Sequence, residues 1–564
     1  MKNQKTLALL MAATVAVGSG HCVAEQIDTA NLEKDTRFTP VPERNDDGNY
    51  NILFVTTDQE HYFAEYPDGT EYQARKLLEE LGTTFEKHYT CSNMSTSSRS
   101  VMYTGTHITD TGMLDNTDFP WQDQLPEDKV TLGDRLREAG LYTAYKGKWH
   151  MGNTSTLFAA ESTLSDLEQH GFSDWNQDKD YVGEALEGYI IDPMIVGDSV
   201  AWLRDTGMTL NQNGQSFFLA VNLINPHDIM NLVTDDDFAG GAMAVTEPPK
   251  DKVYEKSYNL PLPSTWQQDI ATDGTVYGVN AYKNTWFSNM GDIDDHHFVK
   301  MQDYYFNCIQ DSDNNLMNLL IALDHMHMLD NTIIVFTSDH GEMHGAHGLK
   351  GKGGFIYEEN IHVPMIIYHP DYEGGRRIDA VTSHLDLVPT FIDMTSISED
   401  EKARLSEGLN GHSMMALMDG SAENIRDGAL FCFEMISMTM ATSIDENGTP
   451  SVSLDNRCFV RAIVTEDYKF ARYFSPLNFN TPETIEALFA NNDVELYDLN
   501  NDPEDMNNLA MDPEKNADLI MEMNTKLNAL IAAEIGVDDG SELTPTLNGF
   551  GEKLKLFLLL KNGQ

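Results

Sequence analysis

The chain has 564 residues, 41% hydrophobic and 9% aromatic, so it is globular rather than disordered and long enough for one large domain and a smaller one. Its 90 acidic residues against 37 basic ones give a formal net charge of -53. That charge excludes nucleic acid and anionic membrane surfaces as bulk partners, and it suits a protein kept soluble in salty water.

The opening "MKNQKTLALLMAATVAVGSGHCVAEQ" reads as a secretory signal over residues 1–24. Lys2 and Lys5 precede an apolar run from Leu7 to Val17 and a small-residue exit, with cleavage expected near Ala24. His21 stands where a lipid anchor on Cys22 would want a small residue. No later apolar run reaches the roughly 20 residues of a membrane span, so the mature chain is expected to be periplasmic or secreted. "KLKLFLLLK" near the end reads as a short buried strand or helix. Cys91, Cys308, Cys432 and Cys458 show no metal-ligand spacing and leave two disulfides and free buried thiols both open.

"NYNILFVTTDQ" (Asn49–Gln59) is an apolar, β-rich run with polar residues at its carboxyl end, the pattern of a buried parallel strand. "CSNMSTSSRSVMYTG" (Cys91–Gly105) crowds hydroxyls around Arg99 and reads as a polar loop. "KVTLGDRLREAGLYTAYKGKWH" predicts a helix stopped at Gly140 and a strand from Tyr142 to Tyr145; "SFFLAVNLINPHD" (Ser216–Asp228) repeats the strand-then-polar pattern. Residues 228–299 break into Pro-, Gly- and Asp-containing segments, an excursion expected to form a lid or substrate wall. Lys250, Lys252, Lys256 and Lys283 within it are candidates for a basic groove. A long helix then precedes a turn at Leu329–Asn331, the strand Thr332–Thr337, and a further strand in "HVPMIIYHP". Past Gly428, "CFVRAIVTEDYKFARYF" predicts two strands joined by a turn, and "NADLIMEMNTKLNALIAAEI" an amphipathic helix. The expected class is α/β: a large mixed, mainly parallel sheet flanked by helices over 45–427, with a smaller C-terminal α+β unit over 428–564.

Polar clusters fall at the ends of predicted strands, where open parallel sheets place their ligands. They are Asp58-Gln59, Ser95 to Arg99, Lys148 with His150, His227, and Asp339-His340. Each alone has an ordinary explanation as a cap, a turn or a structural histidine. "SDHGEMHGAHG" does not set His344 and His347 at the helical spacing of a zinc site. Together, carboxylates and an imidazole suit a hard divalent cation, Ca²⁺ first, with Mg²⁺ or Mn²⁺ also open. The arginine, lysines and histidines suit an anionic group, and a hydroxyl beside the metal suits displacement at sulfur or phosphorus.

These segments resemble the type I, formylglycine-dependent sulfatases of the alkaline phosphatase superfamily. "STSSRSVMYTG" matches the family's Cys/Ser-x-Pro/Ala-x-Arg pattern with its later Thr-Gly, Ser97 standing where the family has Pro or Ala. The resemblance makes Ser95 the residue oxidised to formylglycine (3-oxoalanine) by a radical-type maturase; Cys91 has no arginine four residues on. "NILFVTTDQ" resembles the first metal strand, with Gln59 as in the choline-sulfatase and phosphonate-monoesterase branches. "AYKGKWHMG", "NPHD" and "TSDHGEMHGAHGLKGKGGFIYEE" match further family segments, and "LDLVPTFIDM" and "VELYDLNNDPEDMNNLA" the family's later strand-helix and closing motif. The implied metal ligands are Asp58, Gln59, Ser95, Asp339 and His340. The implied catalytic set is Ser95, Arg99, Lys148, His150, His227 and Lys352.

The implied chemistry is hydrolysis of a sulfate ester on a sulfated carbohydrate, a glycosaminoglycan or algal polysaccharide. Two rivals stand beside it: a metal-dependent phosphomonoesterase or phosphodiesterase using unmodified Ser95, and a catalytically silent binder of sulfated glycans.

Overall fold

A computed structural model of the chain describes residues 48–152, 164–177, 179–232, 247–268, 276–283, 295–436 and 454–543, with residues 245 and 270 besides. The expected signal segment and "KLKLFLLLK" lie outside the described residues. A seven-stranded sheet is built from β1 (Asn51–Asp58), β2 (Thr83–Tyr89), β3 (Tyr142–Gly147), β4 (Phe217–Pro226), β5 (Thr332–Ser338), β6 (Met365–Tyr368) and β7 (Arg376–Ser383). Their order is β3-β4-β1-β5-β6-β2-β7. All neighbours pair in parallel except β6, which is antiparallel to β5 and β2.

The apolar runs follow from burial on both sheet faces. In β1, Ile52 and Phe54 join one core with Phe218, Val335 and Phe391, while Leu53 and Val55 join the other with Leu219, Leu319 and Phe336. The long helix α5 (Asp295–His325) covers the second face together with α1 (Gln73–Leu81) and α4 (Glu187–Trp202), both of which it packs against. The predicted helix before Gly140 is α3 (Leu132–Glu138), opened by a Thr131–Asp134 capping box. Among the described residues no helix is long and apolar enough to cross a membrane.

One expectation is corrected. The hydroxyl-rich stretch is no solvent loop but a helix, α2 (Ser95–Thr104), with every residue buried. Four of its hydroxyls bond back onto the helix or dock it. Ser100 and Thr104 donate back to the carbonyls of Ser97 (2.7 Å) and Ser100 (2.6 Å). Ser98 donates to the Asp339 carbonyl (2.5 Å) and Thr96 to that of His150 (2.6 Å). Gly105 closes the helix in the left-handed region, φ 71°, its N–H on the Val101 carbonyl. The Ser97 hydroxyl is buried and has no hydrogen-bond partner among the described residues.

A second sheet, β11-β10-β9-β8, is antiparallel throughout: β8 (Ala429–Phe433), β9 (Phe459–Val464), β10 (Tyr468–Phe474) and β11 (Asp493–Asp498). One face packs against α6 (Ala517–Glu534) through Ile520, Met523, Leu527 and Ile531, and the other against Phe355 and Tyr357. Its edge is tied to the segment before α2: Cys432 N–H donates to the Cys91 carbonyl (2.9 Å) and Ser92 Oγ to the Cys432 carbonyl (2.7 Å). Within the closing motif Asp505 accepts from Lys469 Nζ (2.5 Å), which also reaches Glu358 (2.7 Å). The four cysteines in question are buried and free. In the excursion, Lys250 and Lys252 are exposed, while Lys256 turns toward Glu71 (3.7 Å).

The junction of β3 and β4 carries a steric demand. Gly147 pairs with Asn222 at φ 89°, and a Cβ there would lie 1.9 Å from the Asn222 carbonyl oxygen. Gly147→Ala is therefore expected to destabilise the fold by at least the roughly 1–3 kcal/mol of a strained positive φ. Thermal unfolding beside wild type measures it; an unchanged midpoint would mean that the strand pair yields freely.

Candidate active site

The carboxyl ends of the central strands converge on one point. β1 delivers Asp58 and Gln59, β5 delivers Asp339 and His340, the end of β3 leads to Lys148 and His150, and β4 leads to His227. From the other side α2 presents Ser95 in its first turn and Arg99 one turn later. The segment after β5 returns with Lys352.

Arg99 links the two carboxylates: its Nη2 lies 3.1 Å from Asp58 Oδ2 and its Nε 3.0 Å from Asp339 Oδ2. Lys148 Nζ lies 2.6 Å from Asp58 Oδ2 and donates to the Val182 carbonyl (2.7 Å). Ser95 Oγ is 2.9 Å from His340 Nε2 and accepts from Lys352 Nζ (3.1 Å). Lys352 Nζ also donates to Gln59 Oε1 (2.9 Å) and stands 3.8 Å from Asp58 Oδ1. All of these side chains are buried.

His227 is half-buried at the rim, packed so closely on Gly183 that a Cβ there would meet its Nδ1 at 2.3 Å. His150 lies one step out. Its Nε2 contacts Asp118 Oδ2 (3.1 Å) and its backbone N–H donates to Asp180 (2.7 Å). A carboxylate only accepts, so the proton sits on Nε2 and leaves Nδ1 bare; that atom is buried without a hydrogen-bond partner among the described residues.

Asp58, Asp339 and His340 offer ligand atoms within 4.8 Å of one another. Asp58 Oδ1 is buried and has no hydrogen-bond partner among the described residues. Two carboxylates, an imidazole and the nearby Gln59 and Ser95 oxygens are a donor set that fits a hard divalent cation.

The local field separates the two carboxyls. Burial alone would raise Asp58, yet Lys148, Lys352 and Arg99 hold it well below the usual carboxylate range. Burial and the neighbouring Asp58 charge push Asp339 up to about 6. Burial pushes Lys352 down to about 8 against the pull of Asp58. Burial likewise lowers His340, His227 and His150, so these imidazoles are neutral at pH 7. Asp339 and Asp58 raise Arg99 against its burial and keep it charged.

Several supporting residues escape sequence reasoning. Asn222 Oδ1 accepts from Thr56 (2.6 Å), Tyr103 (2.9 Å) and Arg99 (3.3 Å), fixing the guanidinium from behind. Its signal was a polar residue inside the apolar run of β4. Asp118 and Asp180, which orient His150, give no signal at all.

A model of the Sulfatase family matches residues 50–397. The chain is 25% identical over 488 residues to an uncharacterized sulfatase, YidJ, of Escherichia coli (strain K12), covering 82% of this chain and 83% of that one. It is 23% identical to an N-acetylglucosamine-6-O-sulfatase of Bacteroides thetaiotaomicron, covering 83% and 84%. In fold it is similar to the solved structure of a 2-O GAG sulfatase, with a TM-score of 0.65 at 19% identity, over 89% of this chain and 94% of that one.

The raised Asp339 carries a signed prediction. Its folded value of about 6 exceeds the ordinary 3.8. Without a cation, its contribution to stability is therefore present in acid and lost as pH rises through about 6. A cation needs the ionised form, so the rise in melting temperature on adding Ca²⁺ should be small at pH 5 and large at pH 7. At 100 times Kd the stabilisation is about 2.7 kcal/mol. Scanning fluorimetry at the two pH values tests this; an equal rise at both would exclude Asp339 as a ligand.

Proposed function

The chain belongs to the sulfatase family and is a sulfuric ester hydrolase; we propose that it is exported, acts on a sulfated carbohydrate, and uses a formylglycine made from Ser95 together with a divalent cation. One observation carries the reading. Ser95 Oγ sits between His340 and Lys352, beside two carboxylates and three buried cationic side chains, Arg99, Lys148 and Lys352. In a chain of net charge -53, that inward set of cations is what lets an anionic ester settle. The carbohydrate assignment is supported by the relative named for N-acetylglucosamine-6-O-sulfate chemistry and by a signal-like first segment. A polyanionic glycan would meet a repulsive general field, so its binding should weaken at low ionic strength.

Asp58, Gln59, Asp339 and His340, with the oxygen at position 95, would hold the cation, which supplies Lewis-acid stabilisation of the reacting oxygens. A formylglycine at position 95 would supply, once hydrated, a nucleophilic hydroxyl and a second hydroxyl on the same carbon. The protein's own groups do the rest. Arg99 keeps both carboxylates ionised and the nucleophile helix in place. Lys352, Lys148 and His227 hold sulfate oxygens, and Lys352 carries a proton for the departing alcohol. His150, neutral and with Nδ1 bare, takes the proton of the second hydroxyl.

Mass spectrometry of the Ser95 peptide from the native host should find it about 2 Da light, the loss of two hydrogens, in protein that releases sulfate from sulfated sugars. An unmodified serine in protein that prefers phosphate esters would establish the phosphoesterase reading instead. Lys352→Ala should lower kcat/KM by about 10²–10³-fold. Because Lys352 acts as the ammonium and is held down to about 8, wild-type activity should fall above that pH, and the variant's residual activity should lose that limb.

A further inference from the structure

We propose that Glu342 is a positioning residue that fixes the Gln59 amide with its oxygen toward the cation ligands, making Gln59 an oxygen donor to a hard divalent cation. The proposal rests on the sulfatase reading only in taking a cation to sit at Asp58, Asp339 and His340.

The two ends of a carboxamide match in size and differ in polarity. At Gln59 one end meets Lys352 Nζ (2.9 Å) and the other meets Glu342 Oε2. An ammonium has no lone pair and a carboxylate no hydrogen, so a single orientation satisfies both, with Nε2 on Glu342 and Oε1 on the inner side. A cation at the cluster would repel the Lys352 ammonium. Glu342 is then the group left holding the amide. Turned the other way, Gln59 would aim its NH₂ dipole at the ion.

Glu342 is built to stay in place. It is fully buried, and its second oxygen accepts from the backbone N–H groups of Gly351 (2.6 Å) and His344 (3.1 Å). Its carbonyl oxygen meets His61 Nδ1 (2.8 Å). The Gln59 backbone is held as firmly: it takes φ 74°, donates its N–H to Asp339 Oδ1 (3.1 Å) and accepts from the Tyr305 hydroxyl on its carbonyl (3.0 Å). With both backbones pinned, the amide flip is the freedom that remains, and Glu342 removes it. One segment, Asp339 to Lys352, thus supplies two ligands, the clamp and the ammonium.

Ca²⁺ titration calorimetry on chelator-treated full-length protein tests this. Glu342→Gln should weaken binding by about 10–100-fold, because its one oxygen stays on the Gly351 and His344 N–H groups and its NH₂ then faces Gln59, drawing the Gln59 oxygen away from the ion. The exchanged pair Gln59→Glu/Glu342→Gln keeps the net charge, presents an oxygen to the ion in either rotamer, and should restore wild-type affinity. Gln59→Leu, lacking the oxygen, should lose as much as Glu342→Gln. Melting in chelator checks that each variant is folded. Wild-type affinity in either single variant overturns the proposal, as does an exchanged pair that folds yet binds no better than Glu342→Gln. A wild-type protein that binds neither Ca²⁺, Mg²⁺ nor Mn²⁺ overturns it too, and takes the cation out of the sulfatase reading. An unaffected Glu342→Gln beside a binding wild type overturns this proposal alone.

Discussion

Arg99 stands between two buried carboxylates, and the order of the residues gathered at the strand ends follows from that bridge. Asp58 and Asp339 end adjacent parallel strands, paired as far as Thr57 with Ser338, so the sheet forces their charges together in a dry interior. A guanidinium reaching one with Nη2 and the other with Nε is a planar fork suited to two acceptors. Removing one partner from such a buried set costs about 3–5 kcal/mol, because the other charge is left uncompensated. The same arginine lies on the helix that opens with Ser95. Charge neutralisation and the placement of Ser95 are therefore one structural act, with Asn222 holding the guanidinium from the opposite side.

The sign of the interior contrasts with the sign of the whole. An overall -53 would repel any sulfate, yet Arg99, Lys148 and Lys352 are gathered where the strands end and are shielded there from the acidic surface. Burial works on each partner differently: it depresses Lys352 and the imidazoles, while neighbouring cations keep Asp58 ionised. The site thus combines neutral histidines, an ionised carboxylate and an ammonium with a loosely held proton at neutral pH. That mixture comes from packing rather than from unusual residue types.

What was legible in the sequence had a local cause. β1, β4 and β5 are buried on both faces, so their apolar runs and polar ends are visible as such, and the fold brings the polar residues at those ends together. The sequence of α2 reads as a loop because serine and threonine favour turns over helix interiors; the hydroxyl bonds that reconcile them to a helix are made to Asp339 and His150, far away in sequence. Asp118 and Glu342 are invisible for the same reason. Each acts on a partner that only the fold brings near, and no spacing rule connects Glu342 to Gln59.

The brace between β8 and the segment before α2 has a consequence in time. Ser92 Oγ is held by a carbonyl 340 residues later in the chain. At the roughly 5–20 residues per second of synthesis, that partner emerges some 20–70 s after Ser95. Until then the segment carrying Ser95 lacks its support, and the serine that is fully enclosed in the finished fold is still open to solvent. Late arrival of the last sheet sets a deadline: any chemistry to be done on that serine must be finished during the chain's biogenesis, before the site closes over it.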